Sequence, residues 1–209
     1  MRIKRISGAG LFPAAALLAA SGCSAMATEW DPDAEPNQSS LHLQGDVMVG
    51  ALGELKDVAD VGQGGTLVYA APLGTLENGG ALQFELLGSY AKQDFSWSET
   101  SFDIFGNPHV DFFSASGDVF RLGGGLRLEL PTESPLIPYL DVGLAYHSYE
   151  AGGAKASGPG GYVGGGVDVD LGNGFTIGID GRLHAIALSG DLKGAGIVPV
   201  IGLALGVRF

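Results

Sequence analysis

From Leu41 to Phe209, large apolar residues recur at every second position with small or polar residues between them. A period of two belongs to a β-strand whose two faces meet different surroundings. The clearest segments set Leu82, Phe84, Leu86 and Tyr90 against Gln83, Glu85 and Ser89, and Phe120, Leu122, Leu126, Leu128 and Leu130 against Arg121, Arg127 and Glu129. Before them, Leu41, Leu43, Val47 and Val49 oppose His42, Gln44, Asp46 and Met48, and Leu67, Tyr69, Ala71 and Leu73 mark a second segment. After them come Leu140, Val142, Leu144 and Tyr146 against Tyr139, Asp141 and His147, then Val163, Val167, Val169 and Leu171 against Tyr162, Asp168 and Asp170. Phe175, Ile177, Ile179 and Leu183 oppose Thr176, Asp180, Arg182 and His184, and an eighth segment runs through Ile201, Leu203, Leu205, Val207 and Phe209.

The connections alternate in length: short at 74–80, 131–136 and 172–174, long at 53–64, 92–117, 150–160 and 189–196. Gly172-Asn173-Gly174 has the residues of a tight turn. Eight strands with short turns at one end and long loops at the other predict an all-β, antiparallel up-and-down barrel, with both termini on the short-turn side.

Alternation leaves open which face is outside, because a soluble lipocalin has eight such strands around an apolar interior. The basic residues choose. Lys56, Lys92, Lys155 and Lys193 lie in or beside the long connections, whereas Arg121, Arg127, Arg182 and Arg208 lie on the less apolar face among glycines and acids. That face has the makings of a cramped interior. The apolar face then looks outward, where such a band requires lipid as its solvent. Tyr69, Phe84, Tyr90, Phe120, Tyr146, Phe175 and Phe209 on it suit a girdle at the membrane interfaces.

The chain begins with the basic Met1-Arg-Ile-Lys-Arg5 and an apolar stretch from Ile6 to Ala20, the pattern of an export signal too short to span a bilayer. Two exits are open. Ala25-Met26-Ala27 fits ordinary cleavage, giving a signal of 1–27, and Ala20-Ser21-Gly22-Cys23 fits a lipobox, giving 1–22 with lipid on Cys23. A flexible acidic leader is expected over 28–40 and the barrel over 41–209. Removing Arg2, Lys4 and Arg5 leaves 8 basic residues against 23 acidic, a balance that excludes nucleic acid as a partner. The 36 glycines follow no collagen period, and a mean hydropathy of +0.24 excludes a disordered tail.

The last residues, Gly206-Val207-Arg208-Phe209 with apolar positions back to Ile201, resemble the terminal strand of bacterial outer-membrane proteins. Pro138-Tyr139-Leu140-Asp141-Val142-Gly143 and the glycine-rich stretch from Gly161 to Asp168 are similar to strands of the OmpA-, OmpX- and OmpW-like small barrels. The resemblance implies an outer-membrane monomer with its termini in the periplasm, in contact with outer-membrane lipid and lipopolysaccharide. It also implies that Leu203, Leu205, Val207 and Phe209 are the signal read by the barrel-insertion machinery.

Within the barrel, Asp46, Glu85, Arg127, Asp141, Asp168, Asp180 and Arg182 fall at similar heights on the inward face. Neighbouring strands put Arg127 within reach of Glu85 and Asp141, and Arg182 within reach of Asp168, so a salt-bridged layer plugging the lumen is expected. The alternative is a narrow passive channel for small cationic or apolar solutes. The inward face counts seven acids (Glu129 and Asp170 included), and inward glycines at 123, 125, 143, 164, 166, 178, 202 and 206 either leave room for water or seat the large side chains opposite. A lipid-modifying enzyme is the third reading, but His147 and Ser148 point to opposite faces, His42 and His109 are isolated, and His184 has no Ser or Cys on its own strand face. No zinc-ligand spacing or phosphate loop occurs, so neither catalytic residues nor a cofactor are expected. The aromatic stretch 92–117, with a turn at Gly106-Asn107-Pro108, is expected to prolong the third and fourth strands beyond the membrane, either as an aromatic hairpin packed on itself or as a candidate surface for an external ligand.

Overall fold

The computed structural model describes residues 30–31 and 38–209 apart from 54, 56–58, 78, 103–104, 106 and 192. The expected export signal with Cys23 and most of the expected leader lie outside the described residues. Eight long strands follow: β1 (Ser40–Met48), β2 (Ala59–Leu76), β3 (Ala81–Phe102), β4 (Pro108–Glu129), β5 (Leu136–Ala151), β6 (Ala154–Gly172), β7 (Phe175–Gly190) and β8 (Gly194–Arg208). Each pairs antiparallel with the next, and β8 returns to β1 with Leu205 opposite Leu43. The ring is closed, so backbone donors and acceptors of the wall are satisfied strand to strand. The seam is drawn tight where the Phe209 amide donates to the Ser39 carbonyl at 2.9 Å.

Exposure follows the sequence alternation. Leu122, Leu144 and Leu203 on the outer face are 73%, 75% and 67% exposed, whereas Arg127 and Glu85 on the inner face are fully buried. In the lower half of the barrel the arrangement of a soluble protein is inverted: the apolar side chains face out and the charged ones face in. Both ends of the barrel sequence lie with the turns at 77–80, 130–135 and 173–174, where Asn173 takes a positive φ of 54° between two glycines. The Arg208 amide donates to the Gly174 carbonyl at 2.7 Å, tying the chain end to that turn.

The expected long loops are mostly strand. Residues 150–160 form a hairpin with Ala151 opposite Ala154, turning through Gly152 and Gly153 at positive φ. Residues 189–196 shrink likewise, with Gly194 opposite Leu188. The stretch 92–117 continues β3 and β4, as expected, in a ladder to Phe102 opposite Pro108. At 150–160 and 189–196, small Ala, Ser and Gly side chains hide the period of two, while the backbone ladder continues regardless. At about 3.3 Å per residue, a 22-residue strand reaches far past a belt ~25 Å tall. Two short pieces complete the sheet: Trp30–Asp31, within the expected flexible leader, lies beside Thr75–Leu76, and Leu52–Gly53 lies beside Gly196–Ile197.

Candidate functional site: the barrel interior

Inward side chains form a continuous polar network from the terminus end to beyond mid-height. At the bottom, Arg208 pairs with Glu129, and Arg127 pairs with Glu129 at 3.4 Å and with Asp168. The buried Arg127 guanidinium also lies 3.5 Å from the centre of the Tyr139 ring, a cation–π contact. Tyr139 donates its hydroxyl to Asp180 at 2.9 Å.

Arg182 is the hub above this. Its Nε donates to Asp141 at 2.9 Å and its Nη1 to Gln44 at 3.1 Å, while Nη2 faces Asp141, Asp180 and Glu85 at 2.9, 3.3 and 3.4 Å. Tyr162 closes the group by donating to Glu85 at 3.1 Å. Three carboxylates from three strands thus converge on one guanidinium, whose planar fork suits several acceptors at once.

The seven residues expected to share a layer are all buried inward, but their pairing differs from expectation. Arg127 pairs with Asp168 rather than with Glu85 and Asp141, and Arg182 takes Glu85 and Asp141 rather than Asp168. The cause is the glycines. Gly164 stands between Arg182 and Asp141 along one row of the sheet, and a Cβ there would lie 2.5 Å from Asp141 Oδ1 and 2.6 Å from Arg182 Cγ. Arg182 reaches over that gap. Similarly, a Cβ at Gly143 would meet the Tyr162 hydroxyl at 2.5 Å, one at Gly166 the Tyr139 hydroxyl at 2.5 Å, one at Gly202 Asp46 at 2.7 Å, and one at Gly206 His42 at 2.6 Å. These inward glycines seat the side chain of a neighbouring strand; they are not open water space. Asp170, counted among the interior acids from the sequence, is exposed at the turn and accepts the Gly172 amide, leaving six acids on the inner face.

Asp46 belongs to a separate group nearer the hairpins. It accepts from Thr66 and lies 3.5 Å from Arg121, whose Nε donates to Ser89 at 2.7 Å and whose Nη1 is 3.4 Å from His184. His147 stacks edge-on to His184 at 5.4 Å between ring centres. Both ring nitrogens of His147 lack a hydrogen-bond partner among the described residues. A buried donor without a partner costs about 1–3 kcal/mol. His147→Leu is therefore expected to change unfolding free energy by less than about 1 kcal/mol, whereas His184→Leu, which strips a neighbour from Arg121, costs about 1–3 kcal/mol. Equilibrium unfolding of the two variants in the same detergent reads the difference.

Above this the lumen is apolar, a feature absent from the sequence expectations. Met48, Leu55, Phe95, Val119, Tyr149 and Ile186 pack with smaller neighbours into one buried cluster, Phe95 edge-on to Tyr149 at 6.1 Å between ring centres. Leu55 comes from the connection between β1 and β2 and fills the mouth. A signal existed in the run Ile197-Val198-Pro199-Val200-Ile201, apolar at consecutive positions and hence on both faces.

No protein family matches the chain in sequence, and no curated protein does. Among solved structures it is similar to the outer membrane protein OprG from Pseudomonas aeruginosa, with 12% identity over 86% of this chain and 99% of that one at a TM-score of 0.51. Neisserial surface protein A aligns with 12% identity over 82% of this chain and 96% of that one at a TM-score of 0.48. The N-terminal barrel domain of Pseudomonas aeruginosa OprF aligns with 15% identity over 81% and 98% at 0.43. The fold is that of the small outer-membrane barrels.

Proposed function

We propose that this chain is an outer-membrane barrel with a structural or surface-interaction role, its termini and short turns in the periplasm and its long hairpins outside. The exposed apolar belt around a closed ring supports the membrane setting, since lipid is the solvent that such a face requires. The single observation that carries the functional reading is the doubly closed interior: a charged network cross-linked by arginine in the lower half and an apolar cluster filling the outer mouth. An ion crossing it would have to displace both.

The test is conductance. The refolded full chain in a planar bilayer is expected to give no steady openings over a broad voltage range. Steady cation-selective openings would overturn the closed-barrel reading in favour of a channel for small cationic solutes, with the six inward acids as its lining. The projecting ladder of β3 and β4, with Phe105 82% exposed at its tip, is the part of this barrel offered to an external ligand.

A further inference from the structure

Between the Arg182 hub and the apolar mouth lies a layer built around two histidines. His147 and His184 are both buried. The His147 ring lies over Gly160, where a Cβ would stand 2.9 Å from its Nε2, and packing rather than hydrogen bonding holds it there. His184 Nδ1 also lacks a partner among the described residues, while its Nε2 faces Arg121 Nη1 at 3.4 Å. A guanidinium has donors and no acceptor, so this contact requires a bare Nε2. His184 is therefore the neutral Nδ1–H tautomer when the layer is closed.

The charges that bear on the two rings are positive. Arg121 stands opposite His147 across the β4–β5 ladder. The charged or chargeable groups acting on His184 are Arg121, His147 and Arg182, and Arg121 acts on His147. Of the other elements, β6 brings Tyr162, its ring centre 5.6 Å from that of His184 and its hydroxyl committed to Glu85. From β5 comes Tyr149, β8 sets Val198 opposite His184, and β2 and β3 supply the uncharged Thr66 and Ser89. Asp46 of β1 lies 3.5 Å from Arg121 and accepts from Thr66. The hub carboxylates of Glu85, Asp141 and Asp180 already converge on Arg182. A proton on each ring would set three cations against the carboxylate of Asp46.

This layer supports the mouth. Asp46, Ser89, Arg121, His147 and His184 each lie two residues along a strand from Met48, Ala91, Val119, Tyr149 and Ile186 of the apolar cluster, on the same inward face. We infer that His147 and His184 form an acid-sensitive latch: when both rings take up protons, repulsion from Arg121 forces the layer apart and the apolar cluster opens to water. The inference rests on the closed lumen proposed above and adds the condition under which its outer half opens. The sign follows from proton binding, since the open form binds protons that the closed form does not and so gains as pH falls. A histidine in water takes up its proton near pH 6.5, so at pH 4.5 each ring favours the open form by up to about 100-fold.

The experiment reads access to the mouth in the full chain refolded in detergent. Val119→Cys puts a thiol within the buried cluster, in a Cys23→Ser background with no other thiol. Its rate of labelling by dithiodipyridine, which reacts in acid, is divided by that of Phe105→Cys at the exposed hairpin tip. From pH 7.5 to pH 4.5 this ratio should rise more than about tenfold. With His147→Gln and His184→Gln together it should stay within about twofold of its neutral value, because glutamine keeps an acceptor for Arg121 and does not titrate. Either single glutamine variant, expected to give an intermediate rise, serves should the double variant fail to fold, and Ile186→Cys serves likewise for Val119→Cys. The heat-dependent gel shift reports that the barrel persists at pH 4.5. An unchanged ratio with both histidines present would overturn the inference. So would an equal rise in the glutamine variants, which would assign the response to carboxylates, or loss of the gel shift, which would make it general acid unfolding. A Val119→Cys thiol labelled as fast as the tip at pH 7.5 would instead overturn the closed lumen.

Discussion

Replacing Arg182 with leucine is expected to cost about 3–5 kcal/mol of folding free energy, the loss typical of breaking a buried ion pair from one side. The removed guanidinium is the shared partner of Asp141, Asp180, Glu85 and Gln44. Without it, three carboxylates stand together in a space closed below by Arg127 and Tyr139 and above by the Arg121–His184 group, beyond which lies the apolar cluster. Leucine supplies no donor. The measurement is the midpoint of urea unfolding in detergent, with the heat-dependent gel shift reporting that the barrel forms. Adding Glu85→Leu and Asp141→Leu to Arg182→Leu should recover most of the loss, because an apolar interior of similar volume tolerates the absence of charge better than a half-satisfied network does. A loss below about 1 kcal/mol in the single variant would mean that water reaches these carboxylates, and the closed lumen would be wrong with it.

The second large effect is on the opposite face. Leu203 is 67% exposed and lies between Gly45 and Ile179 in the outward belt. In water, an arginine at so exposed a position would change stability by no more than about 0.5 kcal/mol. At the midplane of a bilayer it costs about 2–4 kcal/mol. Leu203→Arg measured in vesicles therefore separates a lipid-facing belt from a solvated one, and Phe105→Arg at the hairpin tip serves as the comparison, with an expected change under about 0.5 kcal/mol. A near-zero effect of Leu203→Arg would remove the membrane setting, and with it the proposed role of Leu203, Leu205, Val207 and Phe209 as an insertion signal.

Much of the barrel was legible in one dimension because a strand's period of two maps directly onto two faces. Arg127, Asp168, Glu85 and Arg182 could be placed inward by parity alone, and they are buried inward. Parity carries no distance around the ring. Nothing along the chain says that Arg182 passes over Gly164, since that requires the register of β6 against both neighbours. The prolongation of β3 and β4 was expected, but the lengths of the hairpins at 150–160 and 189–196 were hidden for a related reason. Gly, Ala and Ser lack the contrast between faces that makes a strand visible, yet their amides and carbonyls pair as well as any others.

The strand count, the inward arginines and the outward apolar belt thus follow from the sequence by itself, because alternation and the segregation of lysine from arginine are local properties of the chain. Only the tertiary structure decided which acid each arginine holds, that the inward glycines are seats rather than openings, and that the outer mouth is filled by Leu55, Phe95 and Tyr149. Those features depend on the stagger of eight strands around a closed ring, where residues far apart in sequence meet across a lumen too narrow to leave them separate.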